Sequence, residues 1–109
     1  MFVIIDNGMR IGVVGGLDRS APHIEAIARQ EGHELEHHHG RTAGVGAKAI
    51  ERLVERSDFV LILMDVNSHG GVAVAKRAAK QAGRASLVMR QCGVSRIAEV
   101  IRSLPKKVA

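Results

Sequence analysis

Apolar residues along this chain fall into short dense runs separated by stretches with helical spacing, and the alternation is regular. Arg10-Ile11-Gly12-Val13-Val14-Gly15-Gly16 is a β-branched run closed by paired glycines, the pattern of a strand buried on both faces. Ser20 stands where it can cap a helix that tolerates Pro22 in its first turn, carries Ile24, Ile27 and Ala28, and stops at Gly32. His33 to His39 reads as a second strand with Leu35 as its only strongly apolar residue, hence an edge strand. The spacing of Ile50, Leu53 and Val54 predicts an amphipathic helix over 46–56. Phe59-Val60-Leu61-Ile62-Leu63-Met64 is the most hydrophobic run in the chain; it belongs at the centre of the sheet and ends at Asp65. Asn67 or Ser68 can cap a helix predicted over 69–82, with Val72, Val74, Ala75, Ala78 and Ala79 as its apolar residues and Gly83 as its stop. Ala85-Ser86-Leu87-Val88-Met89 supplies a fourth strand, and a last helix over 95–104 ends before Pro105, leaving Lys106 and Lys107 in a tail.

Strands and helices alternating at this spacing imply right-handed crossovers and a parallel sheet covered on both faces. The expected fold is therefore α/β: a small doubly wound three-layer sandwich, Rossmann-like or flavodoxin-like, with a four-stranded parallel sheet. Residues 1–9 start apolar and break at Asp6-Asn7-Gly8, as expected of an extra N-terminal strand or an arm that adds to a neighbouring subunit; residues 10–109 form one domain.

Composition narrows the class. A chain of 109 residues can bury a core without disulfides, and with no Trp, no Tyr and only Phe2 and Phe59 that core is aliphatic. One cysteine, Cys92, suits a reducing compartment, and the N-terminus has neither the length nor the charge of a signal peptide, so a cytoplasmic location is expected. No apolar run is long enough to cross a membrane. The net charge of +5 favours anionic partners, but the basic residues lack interleaved stacking aromatics, which argues against nucleic acid. A homo-oligomer is expected from the small size and the apolar arm.

Ligands of parallel α/β sheets bind beyond the carboxyl ends of the strands, where four loops should converge. These loops carry Gly15 and Gly16, the run His37-His38-His39-Gly40-Arg41-Thr42, the segment from Asp65 through Ser68 to His69, and the segment from Arg90 through Cys92 to Ser95. Gly12-Val13-Val14-Gly15-Gly16 fits neither the dinucleotide fingerprint nor the P-loop, so a tight strand-to-helix turn is the simpler account of the glycines. Along a strand His37 and His39 point to one face and His38 to the other; an alternate pair can chelate a metal ion, or one imidazole can ligate heme iron, with His69 as a further ligand or distal donor. Arg41, Thr42 and Arg90, with helix N-terminal amides, make a cradle for a phosphate or for porphyrin carboxylates. Cys92 fails the phosphatase pattern because Ala98 stands where an arginine is required, and Asp65 can orient His69 or serve as a cap.

Val14-Gly15-Gly16-Leu17, Glu36-His37-His38-His39-Gly40, Asp65-x-x-Ser68-His69 and Arg90-x-x-Gly93-x-Ser95, in this order, resemble a bacterial family known as domain of unknown function 2325 over roughly residues 10 to 104. The matching positions are Gly15, Gly16, His37, His38, Gly40, Asp65, Ser68, His69, Arg90, Gly93 and Ser95. The chain departs from the pattern at His39, where relatives often have an acidic residue, and at Val66, where some have a cysteine. The resemblance implies the fold and the location of the site, and with the histidines a link to heme or iron.

The first expectation is a small binding protein that holds heme iron or another transition metal, iron favoured, through His37, His38, His39 and His69, for binding or sensing a gas such as dioxygen. The second is a regulatory module that binds an anionic, nucleotide-like metabolite at the glycine and arginine loops. The weakest is a hydrolase using Cys92 or Asp65 with His69, because no complete nucleophile, base and orienting group can be assembled from the sequence.

Overall fold

The computed structural model describes residues 8–16, 18–65, 67–90 and 93–105. The strands are β1 (Arg10–Val14), β2 (Glu34–His38), β3 (Phe59–Leu63) and β4 (Ala85–Met89); the helices are α1 (Ala21–Gln30), α2 (Gly46–Arg56), α3 (His69–Ala82) and α4 (Val94–Ser103). The strands are all parallel in the order β2-β1-β3-β4, with Val13 paired to His37 and Leu61, and Leu61 paired to Leu87. This is the expected doubly wound α/β architecture.

Alternation along the strands divides the core into two layers. Ile11, Val13, Leu61 and Leu63 face Ile24, Ile27 and Ala28 of α1 and Ile97, Ala98 and Ile101 of α4. Val14, Val60 and Ile62 face Ile50, Leu53 and Val54 of α2 and Val74, Ala75 and Ala79 of α3. Helices on both faces leave β1 and β3 no wet side, which is why their sequences are unbroken apolar runs. The small residues of α3 let it lie close to the sheet. Gly12 serves the same need on β1, since a methyl group there would collide with the side chains of Leu53 and Ser57.

β2 is an edge strand and β3 a central one, as the sequence predicts. Several boundaries shift for local reasons. β1 ends at Val14 because Gly15 and Gly16 take φ of 101° and 88°, outside the β region. β3 ends at Leu63 rather than Met64, and β2 begins at Glu34, leaving His33 outside the strand and buried. The His33 ring accepts a hydrogen bond at Nδ1 from the Met9 amide at 2.8 Å. Ser20 does not cap α1 with its side chain: it sits in a helical conformation, φ −88° and ψ −17°, at the end of a short 3-10 turn that leads into the helix. α4 starts one residue early, at Val94, after Gly93. Residues 1–7 of the expected N-terminal arm, like Lys106 and Lys107, lie outside the described residues.

Candidate ligand site at the carboxyl edge

The loops after β1, β2 and β3 do converge, and a side chain that was expected only as a helix cap joins them. Asn67 donates from Nδ2 to the carbonyls of Leu63 (2.7 Å) and Val14 (3.3 Å), and its Oδ1 accepts from the Ser68 amide at 2.8 Å. Both amide hydrogens and the carbonyl are thus used, and the ends of β1 and β3 are tied to the start of α3. Ser68 is the side-chain cap of α3, accepting from Gly71 N at 2.8 Å, while its hydroxyl donates to Gly40 O at 2.7 Å. One hydroxyl therefore caps α3 and anchors the loop after β2.

Glycine makes this approach possible. A methyl group on Gly15 would lie 2.6 Å from both the Asn67 amide nitrogen and the Leu63 carbonyl oxygen; one on Gly40 would overlap Asn67, and one on Gly71 would overlap Gly40 O. Thr42 packs over Gly70, 3.1 Å from where its methyl group would be. The sequence does hold a signal for this junction: two glycines in the first turn of a helix oppose helix propensity and call for a packing reason.

The histidines separate into two kinds. The His37 imidazole is 7% exposed and lies between the β1 loop and β2: Nε2 donates to Gly15 O at 2.8 Å, and Nδ1 lies 3.7 Å from Asp18 Oδ1. His38 and His39 each accept at Nδ1 from the amide two residues on, Gly40 N at 2.9 Å and Arg41 N at 3.0 Å. These bonds turn the chain after β2 and set the two rings 4.5 Å apart. The expected pairing of His37 with His39 on one face is therefore replaced by His38 with His39, because the strand ends at His38 and no longer dictates alternation. All three bonds hold the neutral rings as the Nε2–H tautomer, in which Nε2 is a donor rather than a lone pair.

His69 differs. It is exposed at the start of α3, and among the described residues neither ring nitrogen is hydrogen-bonded. It lies on the rim of a groove of about 350 Å³ lined by Met64, Val72 and Ala73, with Lys76 one turn further along α3. Met64 is 45% exposed, unusual for a large apolar side chain at the end of a central strand.

The remaining expected residues are more dispersed. Arg41, Asp65, Arg90 and Ser95 are exposed, Asp65 beside Met64 and Ser95 in the first turn of α4; Cys92 lies outside the described residues. Asp65 does not cap α3, since Ser68 does. Among the described residues no group of three or more His, Cys, Asp or Glu is gathered closely enough to enclose a metal ion.

Burial, followed by the charges of His39 and His37, holds the His38 imidazole below its ordinary value, in keeping with Nδ1 accepting the Gly40 amide. An imidazole whose folded pKa is lowered binds protons more readily in the unfolded chain, so its stabilising contribution is present above pH 6.5 and is lost as pH falls below it. Urea denaturation followed from pH 7.5 to 5, a range set to bracket the ordinary histidine pKa of about 6.5, should show stability decreasing with acid. His38→Asn, which retains an acceptor for Gly40 N, should flatten that slope; an unchanged slope would remove His38 as its source.

Two comparisons give nothing to add to this geometry: no curated protein and no solved structure shows significant similarity to the chain. A family model does match, over residues 10–104, which takes in all four strands, all four helices and every loop of the carboxyl edge. The chain is a member of that bacterial family, described as an uncharacterized protein conserved in bacteria and designated domain of unknown function 2325.

Proposed function

We propose that this protein holds heme iron through His69 at the carboxyl edge of its sheet. The observation that carries the reading is the His69 ring, uncommitted to any described residue and set on the rim of an apolar groove. Heme asks little of a protein: one imidazole lone pair, apolar contact for the macrocycle and a cation for a propionate. His69, the Met64 and Val72 side chains, and Lys76 supply these in one place. Ser68 and Asn67 hold the first turn of α3, so the imidazole is carried on a fixed backbone. Bound heme would supply an iron position for a diatomic gas such as dioxygen. A bare transition metal ion is a weaker form of the same proposal, because His38 and His39 would first have to give up the bonds that keep Nε2 protonated, which leaves His37 Nδ1 as the one lone pair of the run still available.

Those same bonds favour a second reading for the loop after β2. Imidazole N–H donors beside Arg41 and the Gly15 and Gly16 turn suit an anionic metabolite, bound without metal.

One experiment separates the readings. Hemin titrated into the purified protein should give a stoichiometric Soret band, lost in His69→Ala and retained in His38→Ala and His39→Ala. Failure of hemin to bind, together with thermal stabilisation by a phosphorylated compound that is lost in Arg41→Ala, would replace the heme reading with the anionic one.

A further inference from the structure

The charge of this chain is sharply divided. Residues 1–65 hold seven Lys or Arg and ten Asp or Glu, whereas residues 66–109 hold nine and one, so halves of −3 and +8 make up the net +5. Residues 66–98 contain six Lys or Arg and no acidic residue. The strand order turns this division into geometry, with β2 and its glutamates on one edge of the sheet, and β4 between basic α3 and α4 on the other.

The two edges are also finished differently. Among the described residues β4 pairs only with β3, and its sequence Ala85-Ser86-Leu87-Val88-Met89 has no charge and no proline. Leu87 is 41% and Val88 37% exposed, one on each face of the strand. Native edges are normally blunted by charges, prolines or a covering element. β2 follows that rule with Glu34 and Glu36; β4 has neither charge nor proline, and among the described residues no further strand pairs with it.

We infer that the β4 edge receives an extended acidic segment of another protein, added as a fifth strand. Main-chain pairing would supply affinity, Leu87 and Val88 would contact alternate side chains of the incoming strand, and the flanking cations would select acidic residues. Arg90 and Arg96, with a single acidic residue, Glu99, line the groove between β4 and α4 beside Leu87 and Met89, and Lys80 is exposed on α3 one turn beyond Lys76. Other occupants fit less well. A second copy joined edge to edge about a two-fold axis would set the α3 cations of the two chains against each other. The β2 strand of another copy is acidic, but Glu34 and Glu36 already pair with Arg10 at 3.4 Å and Arg56 at 2.6 Å. Single-stranded nucleic acid would want stacking aromatics, and the chain has no Trp or Tyr.

The test is a selection from displayed random short peptides on the intact protein, with binding of the enriched sequences then measured by titration calorimetry. Enriched peptides should alternate β-branched with acidic residues and protect the β4 amides from hydrogen exchange. Lys80→Glu with Arg96→Glu should weaken binding by roughly tenfold or more, in protein whose circular dichroism and melting match the parent. Enrichment without acidic bias, or protection away from β4, would overturn the proposal. So would a dimer in sedimentation that Leu87→Lys disperses, which would give the edge to a second copy. Neither variant touches His69 or Lys76, so heme uptake can fail or succeed independently.

Discussion

Asn67→Ala should cost about 3 kcal/mol of folding stability, a large effect for a half-buried polar residue. The truncation removes two donated hydrogen bonds and one accepted one, each worth about 1 kcal/mol net, and leaves the carbonyls of Val14 and Leu63 without their side-chain partner. Asn67→Asp tests the cause, because it keeps the shape while replacing both donors with an acceptor. If hydrogen bonding holds the junction, Asp should cost at least as much as Ala, since a carboxylate oxygen would then face the two carbonyls. If Asn67 only fills space, Asp should be nearly neutral. Urea denaturation reads the difference as a lowered midpoint with an unchanged slope. Loss of the junction should also loosen the first turn of α3, so hemin uptake should weaken together with stability although Asn67 is not proposed as a ligand.

Gly71→Ala is the second large effect, and its sign is the informative part. Helix propensity alone says that exchanging glycine for alanine inside a helix gains about 1 kcal/mol. Here the new methyl group would meet Gly40 O and Asn67 Oδ1, one a backbone atom and the other fixed by the Ser68 amide. Neither can move without parting the loop after β2 from the start of α3, so a net loss of about 2 kcal/mol is expected, as in other overpacked sites. Gly83→Ala provides the contrast. Gly83 ends α3 at φ of 66° with open space around it, so its loss should be about 1 kcal/mol, from backbone conformation alone. If Gly71→Ala proved stabilising, the close packing of the β2 loop on α3 would be wrong.

The histidine run shows where sequence reasoning weakens. Alternation predicts the faces of His37 and His38 correctly, because both lie within β2 and their partners Val13 and Val14 belong to opposite core layers. It fails at His39, one residue past the end of the strand, where a local bond from the Arg41 amide takes over. The sequence places four histidines on one edge. Their hydrogen bonds divide them into three ring-to-backbone braces and one uncommitted imidazole; the braces on His38 and His39 come from amides two residues on, and that on His37 from Gly15, distant in sequence.

Hydrophobic periodicity by itself determined the four strands, the four helices and the parallel doubly wound sheet, because burial on one or both faces leaves its period in the sequence. It also marked β2 as an edge and β3 as central. What only the tertiary structure decided is how the edge loops join: that Asn67 ties β1 and β3 to α3, that Ser68 serves both α3 and the β2 loop, and that His69 rather than the histidine run borders the apolar groove. Periodicity records how much of a residue is covered, whereas a hydrogen bond depends on where a distant carbonyl or amide points, and that direction is fixed only when the strands are in register.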